Sequence, residues 1–156
     1  GPVIDTESKQ TIDNHIQKMK SKGYPVHQLM FNDAVSQQAL AQGTFVPPTA
    51  IELPNLDDLE REVFGPVLHI ITYKYGELEQ LIDRINAKGY GLTMGLHTRI
   101  DETINTVIQR AEVGNLYINR NIVGAVVGVQ PLAAHQQLGK REGAPHTAQC
   151  EHYQQW

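Results

Sequence analysis

Two hydrophobic periods alternate along this chain, and their order predicts an α/β protein. Ile12, His15, Ile16 and Met19 stand at i, i+3, i+4 and i+7, one face of a helix. Asp5 ahead of them suits an N-cap, and Gly23 closes the segment. Tyr24 to Met30 reads as a strand, and 32–43, polar with Ala and Gln, as a loop or short helix. Phe45 to Leu53 is extended, but Pro47-Pro48 make it poorly suited to a central strand. Val67 to Tyr73 is a convincing strand.

A second amphipathic helix follows, with Leu78, Leu81, Ile82 and Ile85 inward and Gly89 as its stop. Leu92 to Thr98 is the next strand. Asp101 and Glu102 favour a third helix start through the macrodipole. Ile104, Val107, Ile108 and Ala111 form its inner face, and Gly114 is expected to end it. Leu116 to Asn119 is another strand, followed by the apolar run Val123 to Val129. Strand–helix–strand–helix–strand order predicts a parallel sheet flanked by helices, with right-handed crossovers. No internal repeat is evident.

Composition narrows the function classes. The 156 residues are 40% hydrophobic and 19% charged, with a net charge of −4. That length supports one domain with a real core. The chain lacks the basic stripe that phosphate contacts require, which argues against nucleic-acid binding. No apolar run approaches the roughly 20 residues of a membrane-spanning helix. The opening residues show no signal-peptide pattern, and the single cysteine, Cys150, fits a reducing compartment. A cytoplasmic location is therefore expected.

Four stretches carry more specific information. They are Gly-Pro-Val-Ile-Asp at 1–5, Glu-Val-Phe-Gly-Pro-Val-Leu-His at 62–69, the run from Gly89 to Ile104, and the run from Val113 to Pro131. Taken in order, residues 1–131 resemble the aldehyde dehydrogenase superfamily, downstream of its catalytic cysteine. Within it the likeness is to L-glutamate-γ-semialdehyde (1-pyrroline-5-carboxylate) dehydrogenases, including the dehydrogenase module of bifunctional proline-utilisation proteins. The resemblance implies a catalytic-domain segment of that fold and a role in converting proline to glutamate.

In that family a cysteine thiolate attacks an aldehyde, hydride passes to NAD, and water hydrolyses the thioester. The resemblance makes Glu62 the carboxylate that accepts hydrogen bonds from the nicotinamide ribose hydroxyls. A carboxylate can take both hydroxyls of a diol at once. Phe64 becomes the aromatic packed beside the nicotinamide, and Gly65 permits the tight backbone turn. Gly124 and Ala125 match the loop whose backbone N–H groups capture the substrate carboxylate. Each has a plainer alternative: Glu62 capping a turn, Phe64 in the core, and Gly124-Ala125 as an apolar strand with a glycine bulge. His69 and His97 read as core or edge residues, without metal-ligand spacing. Gly89-Tyr90-Gly91 precedes a strand, the reverse of a dinucleotide fingerprint.

The resemblance also implies what this stretch does not supply. The nucleophilic cysteine, the general-base glutamate, the oxyanion asparagine and most of the dinucleotide-binding domain belong upstream of residue 1. Cys150 is no substitute, because no motif beside it would lower its pKa. No catalytic residue is therefore assigned, and NAD is not expected to bind this chain alone. Three readings follow: a fragment of a semialdehyde dehydrogenase, a non-catalytic domain that self-associates through exposed apolar faces, or part of a longer working enzyme.

The pattern breaks at Leu132. Residues 132–156 hold five glutamines, three of the seven histidines, Cys150 and Trp156, with no helical or strand period. This tail is expected to order poorly, or only against a partner. Where the family continues Phe-Gly-Gly, this chain has Leu132-Ala133-Ala134. Losing one T from TTT-GGC-GGC leaves TTG-GCG-GC, which begins Leu-Ala-Ala. Sequencing the gene is expected to find Phe-Gly-Gly in the neighbouring frame at codon 132. Its absence there would make the tail true divergence.

Overall fold

The computed structural model describes residues 2–122. The chain divides into two compact units, Gly1–Thr72 and Tyr73–Trp156. The first unit begins with helix α1, Thr6–Ser21. Asp5, in an extended conformation, caps it by accepting the Ser8 N–H at 2.7 Å. Glu7 lies in the first turn and Lys18 and Lys20 in the last, each sign matched to the helix dipole. Gly23, at φ +79°, turns the chain out in the left-handed region.

Strand β1 (Val26–Gln28), helix α2 (Ala34–Gln42), strand β2 (Thr49–Leu53) and strand β3 (Val67–Ile71) complete this unit. Segment 32–43, left between loop and helix by its composition, is helical over Ala34–Gln42, with Asp33 accepting the Ser36 N–H at 2.7 Å. The sheet order is β1-β2-β3, so β2 is central. This corrects the expectation set by Pro47-Pro48. Both prolines stop short of the ladder, whose first β2 residue is Thr49, and the Thr49 N–H donates to the Pro66 carbonyl. Pro48 serves only as an acceptor, for the Leu29 N–H. No ladder donor is lost, so the usual objection to proline does not apply.

β2 and β3 are parallel, as expected, whereas β1 runs antiparallel to β2. The β2–β3 connection holds a 3₁₀ turn at Leu56–Asp58, capped by Asn55. Alternation along β2 buries Thr49, Ile51 and Leu53, and Ile51 is 0% exposed. Ile51 and Leu53 meet Ile12, Ile16 and Met19 of α1, with Val46 beside them. Burying a side chain of this size contributes ~1.5–3 kcal/mol, so this stripe is the main cohesive element of the unit. In β3 the half-buried residues are Val67, His69 and Ile71, whereas Leu68 and Ile70 face outward.

The second unit holds helix α3 (Leu78–Lys88), strand β4 (Thr93–Leu96), helix α4 (Asp101–Arg110) and strand β5 (Asn115–Ile118). β4, α4 and β5 form a βαβ crossover, with β4 and β5 parallel and Thr93 opposite Asn115. Gly89 stops α3 at φ +78°, as its position implied. Gly114 does not stop α4. The helix ends at Arg110, and Ala111, expected on its inner face, is already extended. The cause is tertiary. Asn86 of α3 donates to the Arg110 carbonyl at 2.7 Å and accepts the Glu112 N–H at 3.1 Å. It thereby satisfies backbone groups at the helix end that would otherwise lack partners. Gly114 instead donates to the Gly91 carbonyl at 2.7 Å on the approach to β5.

Candidate functional site

The loop from Leu59 to Pro66 carries the residues singled out from the sequence. Leu59 and Val63 pack against the core, whereas Glu62 and Phe64 face solvent. Phe64 is 81% exposed, so the alternative of a core role for it does not hold. The loop is pinned at two points. Pro66 accepts the Thr49 N–H at 2.9 Å, which ties the loop end to the central strand. Gly65 has φ +148°, and a Cβ placed on it would lie 2.5 Å from Ile12 Cδ1. Only glycine permits both that dihedral and that approach to α1.

Between this loop and α1 lies an open groove of about 340 Å³. Ser8, Thr11 and His15 line one side, and Arg61, Glu62 and Phe64 the other. It presents the carboxylates of Asp5, Glu7 and Glu62, an aromatic face, hydroxyls and the Arg61 cation, a set rich in acceptors for the hydroxyls of a polar ligand. Glu62 and Phe64 are thus brought to the same groove. Gly124 and Ala125 lie outside the described residues, as do Val123 to Val129 and the 132–156 tail.

His15 meets His69 across the unit, with Nε2 atoms 2.8 Å apart. The rings are edge-on, at 79° with centroids 5.1 Å apart. Burial pushes the His15 pKa below its ordinary value, and His69, Arg61 and Lys18 push the same way against a smaller opposing effect of Glu60. Burial also lowers the pKa of His69. Sequence reasoning treated these residues separately. The available signal was parity: His15 shares the stripe of Ile12 and Ile16, and His69 shares the inward face of Val67 and Ile71. His97 follows β4 and is exposed.

Some candidate chemistry is excluded locally. Gly89-Tyr90-Gly91 joins the end of α3 to β4, so its amides do not open a helix as a phosphate loop requires. Gly91 packs against the Glu112 carbonyl instead. Among the described residues no three His, Cys, Asp or Glu side chains cluster as a metal site. Nor, among them, is any helix long and apolar enough to cross a membrane.

The sequence profile of the Aldehyde dehydrogenase family matches residues 1–153. This chain belongs to the aldehyde dehydrogenase family. The matched range runs past Leu132, where composition and the departure from Phe-Gly-Gly placed a boundary. The bifunctional protein PutA of Klebsiella aerogenes is 54% identical over 147 residues, covering 93% of this chain and 11% of PutA. The 1-pyrroline-5-carboxylate dehydrogenase of Bacillus pumilus is 33% identical over 149 residues, covering 93% of this chain and 27% of that enzyme. A crystal structure of a proline utilization A variant from Bradyrhizobium japonicum superposes with a TM-score of 0.74 at 45% identity, covering 85% of this chain and 13% of that one. The chain therefore spans about a tenth of the length of the PutA relatives it matches, and it is homologous to their 1-pyrroline-5-carboxylate dehydrogenase part. Aldehyde dehydrogenases use NAD(P).

The pinned loop makes a direct prediction. Gly65→Ala should destabilise the first unit by ~1–3 kcal/mol through backbone strain and the clash with Ile12. Adding Ile12→Val, which removes Cδ1, should make the cost of Gly65→Ala smaller than in the wild-type background. Urea denaturation of the four proteins of this cycle measures both effects.

Proposed function

We propose that this chain is a segment of an NAD-dependent L-glutamate-γ-semialdehyde dehydrogenase and supplies one edge of its cofactor cleft. The observation that carries this reading is the exposed pair Glu62 and Phe64 on a loop held in place by Gly65 and Pro66. Glu62 accepts hydrogen bonds from the nicotinamide ribose hydroxyls, and Phe64 packs beside the ring. Gly124 and Ala125 hold the substrate carboxylate through backbone N–H groups. Homology to 1-pyrroline-5-carboxylate dehydrogenases supports the substrate class. The chain alone does not oxidise the aldehyde, because it is assigned no nucleophile. Removing even one oxyanion donor costs such enzymes about 10²–10³ in rate.

Titrating NAD into the purified chain is expected to give no saturable signal, since one edge of a two-domain cleft is too little to hold a dinucleotide. In a protein carrying this segment together with a dinucleotide-binding domain, Glu62→Gln is expected to raise the NAD KM about 10–100-fold, the worth of hydrogen bonds to a charged acceptor. An unchanged KM would remove Glu62 from the cofactor site.

A second reading rests on the outer face of the first unit's sheet, where Leu68 is 61% and Ile70 40% exposed. Apolar residues on one sheet face favour association with another copy. Size-exclusion chromatography with light scattering is expected to show a species larger than 17.4 kDa. A clean monomer at high concentration would rule this reading out.

A further inference from the structure

The contact between His15 and His69 has a chemistry separate from NAD binding. One ring stands on α1 and the other on β3, 54 residues later, and their Nε2 atoms are 2.8 Å apart. Both rings are half-buried. At that distance one Nε2 must carry the hydrogen and the other the lone pair, so the rings hold different tautomers. Among the described residues Nε2 to Nε2 is the polar contact that joins α1 to β3, and His15 also lines the groove that Glu62 faces.

We propose that the His15–His69 pair is an acid-sensitive latch that fastens α1 to β3 beside the Glu62–Phe64 groove. With both rings neutral the bond is made. One proton can be accommodated on the Nδ1 of the donor ring, which leaves the Nε2 bond in place. A second proton puts N–H groups on both facing nitrogens and two positive charges at contact distance, so the rings must separate. The two protons therefore bind in coupled steps that belong to the pair.

Burial and the nearest charges favour the neutral rings, against the carboxylates of Asp5, Glu7 and Glu62 that line the same groove as His15. From α1, Lys18 faces His15, and from the loop Arg61 does so, both cationic. Glu60 opposes them, but it is occupied by Lys18 at 2.7 Å and has Lys22 at 3.8 Å. On the β2 side the residue paired with His69 is Ile51, which is apolar. Burial, joined at His15 by the charges of His69, Arg61 and Lys18, holds both histidines below the ordinary ~6.5 of an unfolded chain. The unfolded state then binds more protons than the folded one in the window beneath 6.5. Stability from this pair is complete above that value and is lost as pH falls through the window.

The test uses the whole 156-residue chain in a chelator-containing buffer. Urea denaturation from pH 8 to pH 5 would compare wild type with His15→Gln and His69→Gln, whose amides bond without charging. The wild-type folding constant should fall about three- to tenfold more per pH unit below 6.5 than that of either variant, up to the one-proton limit. Equal pH slopes would overturn the proposal. If a variant does not fold, NMR titration of the wild-type imidazole ring protons decides. Two coupled steps below 6.5 for the same two rings support the latch. Independent titration of both at or above 6.5 refutes it.

Discussion

Close packing of α1 on the central strand governs the first unit. Ile12, Ile16 and Met19 are buried against Ile51 and Leu53, and the loop bearing Glu62 and Phe64 is shaped by the same contact. Ile12 Cδ1 occupies the space that a side chain at position 65 would need. The helix face that builds the core therefore also sets the loop. A residue with a Cβ at 65 would disturb packing and display together, because dense interiors transmit a displacement of even one methyl group.

The loop then converts packing into presentation. Its inward residues, Leu59 and Val63, join the core, which leaves Glu62 and Phe64 outside. A single exposed aromatic is ordinary on a folded surface, so the loop can present Phe64 at the groove without loss of stability. The second unit is held in another way. Asn86 and Arg110 join α3 to α4, with Arg110 reaching Asp83 at 2.7 Å and Glu79 at 3.0 Å. Those ion pairs are solvent-exposed and orient the helices more than they stabilise them.

Local chemistry was legible where a single residue decides an outcome. The Asp5 cap, the Gly23 and Gly89 exits and the inward residues of α1 follow from conformational preferences that act within a few positions. The stretches at 1–5, 62–69, 89–104 and 113–131 were legible for a different reason: together they are specific enough to mark descent, and the family match agrees with them. Three features were not readable in this way. Pro47-Pro48 argued against a central strand, yet the ladder begins one residue later. Gly114 looked like a helix stop, yet Asn86 from another helix ended α4 first. His15 was read as part of a helix face and His69 as a core or edge residue, with nothing to pair them, yet the fold places their rings in contact.

The sequence by itself thus determined most element types, several helix ends, the inward faces and the family. Those properties depend on dihedral preference and on periodicity, which are local. Strand order, the antiparallel sense of β1, the point at which α4 terminates and the His15–His69 contact were decided only by tertiary structure. Each requires groups 21 to 54 residues apart to meet, or a strand to choose among possible neighbours. Such choices are made by the joint packing of a core and the satisfaction of its backbone groups, which no single segment specifies.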